Sequence, residues 1–147
     1  MNSYSQTALI FDCTQNYEIK EGIKNKLSSE KIQLYAKPEF NANQMHEIRL
    51  GLKHNLSLDE VKIYAKPEYH EYQMEEIRLA LEHKLTQEQV NFIANPELEF
   101  YKMALIRICY EVNMSQNEIN NILNKNVTLN QVFEIEKDNN KIKLMCL

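Results

Sequence analysis

The sequence predicts a mainly α protein: a short array of helical hairpins with a period of 29 residues. Three observations carry that prediction: an internal repeat, apolar residues at helical spacing with cap signals between them, and a near absence of glycine. Tyr35-Ala36-Lys37-Pro38-Glu39-Phe40 recurs as Tyr64-Ala65-Lys66-Pro67-Glu68-Tyr69, and 64 − 35 = 29. Residues 35–63 and 64–92 are identical at 15 of 29 positions. The register extends both ways through Ile19, Ile48, Ile77 and Ile106, through Leu27, Leu56, Leu85 and Met114, and through Pro38, Pro67 and Pro96. About four copies result, over residues 17–123; the first lacks a clear start and the last lacks its proline.

Taken in chain order, residues 1–16 are expected to form an N-terminal strand or cap, because 8–13 hold a short apolar run. Each copy then parses as two helices. In the third, a long helix over about 71–83 places Met74, Ile77, Leu81 and Leu85 at i, i+3, i+4 spacing. Thr86 to Gln89 is a capping box, in which a hydroxyl caps a new helix and a Gln three residues on reaches back. Ser57 with Glu60 and Ser115 with Glu118 repeat the device, while Ser28 has no acid at the third place. The short second helix, about 87–94, ends before Pro96, since the residue preceding a proline avoids the α region. The proline is also suited to the first turn of the following helix. Leu50, Leu79 and Ile108 put apolar side chains on a second side of the long helix, as a stack covered by both neighbours requires. Gly22, Gly51, Ala80 and Cys109 form a small-residue position, read as a close helix–helix contact. Residues 124–147 leave the pattern. The stretches 132–136 and 141–145 alternate with period two around Lys137-Asp138-Asn139-Asn140, which predicts a β-hairpin, with 8–13 as the candidate third strand of a small sheet.

Composition removes several function classes. The chain has 147 residues, a net charge of −4 and only two glycines, where roughly ten would be usual at this length. Two glycines cannot write a Gly-rich phosphate cradle. Cys13, Cys109 and Cys146 are scattered and odd in number, so free thiols in a cytoplasmic protein are expected, with no zinc motif. The apolar run near the start lacks a basic flank and is too short for a signal or a membrane span, so no membrane partner is expected. His46 and His54 are eight apart, not four, and HExxH is absent, so neither metal nor cofactor is expected. No nucleophile–base constellation is written in the chain; Ser28, Ser57 and Ser115 are caps, and the protein is read as a non-enzyme.

What remains is binding. Arg49, Arg78 and Arg107 form a column that suits an acidic partner surface or phosphates, or else pairs internally with repeated acids such as Glu75, Glu39, Glu68 and Glu97. Tyr69, Tyr72 and Tyr101 lie near the starts of long helices, and tyrosine is favoured at interfaces. His46 and Glu75 fall where the copies differ, and varying positions on a fixed lattice are where a repeat array holds its partner. These eight residues are the candidate partner-binding set, and a protein partner is expected. The alternative is a helix-turn-helix-like DNA-binding regulator, with Gln87, Gln89 and Asn91 facing the bases. The acidic charge and the lack of a basic residue in 86–93 disfavour nucleic acid.

The phrase Tyr-Ala-Lys-Pro-Glu-Phe/Tyr, then Gln44-Met45 or Gln73-Met74, then Glu-Ile-Arg-Leu-Gly/Ala-Leu at 47–52 and 76–81, resembles a tandem helical repeat of uncharacterised proteins of Gram-positive bacteria and their mobile elements. The resemblance implies no activity. It implies an accessory protein of a plasmid, phage or transposon, of the kind that inhibits or regulates a host defence complex. On the packing side, Ala80→Leu is expected to overpack the small-residue position and cost about 1–3 kcal/mol, measured by thermal or chemical denaturation.

Overall fold

The computed structural model describes residues 10–146. In chain order the helices are α1 (Cys13–Lys24), α2 (Ser29–Tyr35), α3 (Ala42–Lys53), α4 (Leu58–Tyr64), α5 (Glu71–Glu82), α6 (Gln87–Ile93), α7 (Phe100–Glu111), α8 (Gln116–Leu123) and α9 (Leu129–Lys137). A 3₁₀ turn (Asn139–Lys141) and a last short helix α10 (Ile142–Met145) follow. Long and short helices alternate from α1 to α8. Consecutive long helices pack side by side, α1 on α3, α3 on α5, α5 on α7 and α7 on α9; the short helices α2, α4 and α6 each bridge the two long ones that flank them in sequence, and α8 packs on α7.

Local sequence explains most of the boundaries. The short helices start on Ser28, Ser57, Thr86 and Ser115, whose hydroxyls accept the backbone N–H three residues on. Glu60, Gln89 and Glu118 return the bond to the cap backbone, and Lys31 cannot. The long helices α1, α3 and α5 start with boxes closed by Gln15, Gln44 and Gln73. They end in Schellman motifs. Leu56 N–H reaches Gly51 C=O and Asn55 N–H reaches Leu52 C=O, and the same pair of bonds recurs at Leu27, Leu85 and Met114. The left-handed residue there is Lys26, Asn55, Lys84 or Asn113, with φ of 59°, 69°, 63° and 61°.

After each of the first three short helices an inverse γ-turn centres on Ala36, Ala65 or Ala94 (ψ 68°, 65° and 70°). A β-turn closes next, with Phe40 N–H on Lys37 C=O, Tyr69 N–H on Lys66 C=O and Leu98 N–H on Asn95 C=O. Pro38, Pro67 and Pro96 sit second in these turns, where a fixed φ is an advantage. They therefore do not open the following helix, which starts four residues later.

The β-hairpin expected over 124–147 is overturned, and no strand occurs among the described residues. Thr128 caps α9 with Gln131 completing the box, so the segment nucleates as a helix. Val132 and Ile135 are three apart and face α7 as one helical turn, while Phe133 and Glu134 are exposed. An alternation of five residues is too short to separate a strand from a helix. Of the proposed third strand, residues 8 and 9 lie outside the described residues. Asp12 is the N-cap of α1, so 13–16, assigned to a strand or cap, belong to a helix.

The core runs through the stack: Met45, Ile48, Val61, Met74, Ile77, Val90, Met103 and Leu105 are fully buried. Ile19 and Ile32 in the first pair are only half-buried, because no earlier helix among the described residues covers α1. Val132, Ile135 and Ile142 close the other end.

The small-residue position proves to be a contact with a short helix. The Tyr35 hydroxyl donates to Glu18 C=O and the Tyr64 hydroxyl to Glu47 C=O, each phenol lying on the glycine of the neighbouring long helix. A Cβ on Gly22 or Gly51 would overlap that hydroxyl. Where the residue is Ala80 or Cys109, the short helix carries Ile93 or Ile122 instead of tyrosine. Gly51→Ala is therefore expected to destabilise by about 1–3 kcal/mol. Adding Tyr64→Phe should recover much of that loss, read as a coupling energy in a double-mutant cycle from chemical denaturation.

Candidate interaction groove

The three repeated arginines are the most buried cations of the fold, with Arg49, Arg78 and Arg107 only 5%, 6% and 7% exposed. Each Nε–H donates to a carboxylate of the preceding long helix: Arg49 to Glu18 at 2.7 Å, Arg78 to Glu47 at 2.8 Å and Arg107 to Glu76 at 2.8 Å. Arg78 and Arg107 also donate from Nη1 to Glu82 and Glu111 one turn on, both at 2.9 Å. Lys53 stands at the corresponding place after Arg49, whose Nη2 donates to His46 Nδ1 at 3.1 Å. His54 Nδ1 lies 2.8 Å from Glu82 and His83 Nδ1 2.7 Å from Glu111, so those carboxylates each bridge an arginine and a histidine.

Burial sets the electrostatics of this ladder. It raises the Glu47 carboxyl, against the pull of Arg78. It pushes Glu76 up to about 7, opposed by Arg107 and reinforced by Glu136 and Glu75. For Glu82 burial also acts upward, but the hydrogen bonds from His54 and Arg78 outweigh it and hold that carboxyl below its usual range. Burial disfavours the charge on Arg107, yet Glu76 and Glu111 more than compensate and its pKa rises. No buried side-chain nitrogen or oxygen among the described residues lacks a partner.

The internal-pairing alternative for the arginines thus describes the geometry, with different acids. The partners are Glu18, Glu47, Glu76, Glu82 and Glu111, with Glu136 at 3.6 Å from Arg107, none of those named from sequence. They escape a local search because the main pairs are 31 residues apart, one long helix to the next. Tyr69 is also buried, at 3% exposure, with its hydroxyl donating to Ala94 C=O. Arg49, Arg78, Arg107 and Tyr69 therefore spend their polar atoms inside the protein.

The other candidates come together on the outer face of the long helices. A cleft of about 460 Å³ between α5, α7 and α9 is lined by Tyr72, Glu75 and Tyr101, with Phe100, Phe133 and Glu136. A second, of about 230 Å³, lies between α3 and α5 and shares Tyr72 and Glu75, adding His46, Asn43 and Glu47. A third, of about 560 Å³ between α1 and α3, shares His46 and Asn43 and adds Tyr17 and Glu18. Shared walls make these one groove across the long helices. Tyr72 is 54% exposed, and Tyr17 and Phe133, at 58% and 43%, extend the aromatic edge.

Tyr17 and Phe133 were not among the residues singled out from sequence. The signal was present, since Tyr17, His46, Glu75, Ala104 and Phe133 are successive 29-residue steps. Reading Phe133 as a strand residue hid it.

Among the described residues no group of three metal-binding side chains gathers, and no helix is long and apolar enough to cross a membrane. No protein-family model, curated protein or solved structure matches the chain.

If the arginine ladder is structural, truncating it unfolds the protein rather than merely weakening binding. Arg78→Ala leaves Glu47 buried without its cation and is expected to cost about 3–5 kcal/mol in urea denaturation.

Proposed function

We propose that this chain is a non-enzymatic protein-interaction module, a helical-hairpin array with a period of 29 residues that holds a protein partner in the groove across its long helices. The observation that supports it is the concentration of exposed aromatic side chains there, Tyr17, Tyr72 and Phe133, on a face whose rigid helices are fixed by buried ion pairs. Aromatic residues are enriched in interface cores, and rigid rings give contact area at small entropic cost. Glu47, Glu75, Glu76 and Glu136 in the groove argue for a partner with basic groups and against the DNA-binding alternative. From the sequence resemblance alone, we take the partner to be a host complex that the protein, carried in the cytoplasm by a mobile element, inhibits or regulates.

Affinity capture from the cell that makes the protein, with and without nuclease, tests the reading. The expected result is a protein partner retained after nuclease and lost with Tyr72→Ala plus Tyr101→Ala, while Phe92→Ala, at an exposed ring outside the groove, has no effect. Capture that survives the Tyr72 and Tyr101 changes, or that vanishes with nuclease, overturns it.

A further inference from the structure

The three clefts are not chemically equal. The one between α5, α7 and α9 combines a ring cluster with carboxylates. Tyr72 and Phe100 lie with centroids 5.2 Å apart and planes tilted by 36°, and Phe100 meets Tyr101 edge-on at 6.0 Å. Phe133 of α9 lines the same cleft. Glu75, Glu76 and Glu136 line it as well. Glu76 is hydrogen-bonded to Arg107, and Glu136 makes a looser ion pair with an Arg107 nitrogen at 3.6 Å, beyond hydrogen-bond distance. Glu75 takes part in no ion pair among the described residues. No lysine or arginine lines the cleft. Arg107 lies behind the wall and is shared by Glu76, Glu111 and, at longer range, Glu136, so one cation meets several carboxylates. The local charge is negative and unbalanced, beside π faces that themselves attract cations.

We propose that this cleft is the specificity site of the groove and takes an arginine side chain of the protein partner, its guanidinium lying against the Tyr72, Phe100 and Phe133 rings and pairing with Glu75 and Glu136. This rests on the interaction reading above and names the chemistry that the partner brings. Arginine fits better than lysine: a planar, weakly hydrated guanidinium stacks on aromatic faces and can pair a carboxylate bidentately, whereas an ammonium is a compact, strongly hydrated point charge. The volume of about 460 Å³ leaves room for the arginine stem and neighbouring backbone as well. An anionic chain is the wrong occupant, since phosphates would face three carboxylates.

The test needs no knowledge of the partner. The tripeptide acetyl-Gly-Arg-Gly-amide is titrated into the full chain, with the citrulline tripeptide as the uncharged isostere, and aromatic ring resonances are followed by NMR. Saturable shifts confined to Tyr72, Phe100, Tyr101 and Phe133 are expected with arginine, and not with citrulline. In Glu75→Gln plus Glu136→Gln, with an unchanged helical spectrum, binding should weaken at least about tenfold. Equal shifts with the two peptides, shifts scattered outside the cleft, or none up to the solubility limit would overturn the proposal. So would a single-stranded oligonucleotide that saturates the same rings. The arginine–citrulline contrast on the unaltered protein stands even if the double variant fails to fold. If the peptides fail while the Tyr72 and Tyr101 changes still abolish partner capture, the arginine site falls and the interaction groove remains.

Discussion

The fold depends on one constraint: a guanidinium taken out of water must have its donors met. Arg49, Arg78 and Arg107 project from successive long helices, and each sends Nε–H to a carboxylate on the helix before. Hydrophobic burial between α3 and α5, or α5 and α7, is non-directional and would tolerate a slip along the helix axis. The ion pair does not, because a slip of one turn would leave both a buried cation and a buried anion unpaired, at several kcal/mol each. The ladder is therefore better understood as fixing register than as adding net stability. Glutamines do the same work at the helix starts. Gln44 closes its own capping box with Oε1 and donates from Nε2 to Tyr69 C=O at 2.6 Å, while Gln73 reaches Leu98 C=O at 2.8 Å. Each such bond ties one helix start to the proline turn that precedes the next long helix. In α7 the corresponding residue is Lys102, and the turn it would have reached has no proline. The two departures from the pattern are one structural change.

Glycine shortage has a similar explanation. The left-handed positions after the long helices are filled by lysine and asparagine, although glycine is the usual choice there. A side chain in that region costs roughly 1–2 kcal/mol, least for asparagine, whose side chain can bond locally. The Schellman bonds and the packing of Leu56 against Gly51 hold it in place. Both glycines are used instead where a tyrosine crosses a helix backbone. They are a steric requirement of the Tyr35 and Tyr64 side chains, not of backbone conformation.

Much of the helical content was legible in the sequence because local signals agree with one another. Ser57, Thr86 and Ser115 announce helix starts, Met74 and Ile77 give the buried stripe, and Pro96 marks the turn. The last segment was misread because its local signals conflict. The alternation Val132-Phe133-Glu134-Ile135-Glu136 suits a strand, while Thr128 and Gln131, a capping box like the others, suit a helix. Burial against α7 decides between them, and burial is a tertiary fact. The site was half legible for the same reason. Tyr72, Tyr101, His46 and Glu75 could be chosen by their place on the repeat, but no local rule pairs Arg78 with Glu47 across 31 residues.

That pairing determines the character of the outer face. From composition alone, three arginines on a lattice suggest a basic surface. Folding turns each inward onto carboxylates, and what the groove presents is the remainder: Tyr17, Tyr72 and Phe133, with Glu75 and Glu136. A mild net charge of −4 thus conceals a sharper local asymmetry, because the buried cations are already neutralised where a partner would meet the protein. Electrostatic choice of partner follows from the charges left in contact with water and not from the total. On that basis we propose that the groove favours basic groups even though the sequence carries its arginines on the same helices.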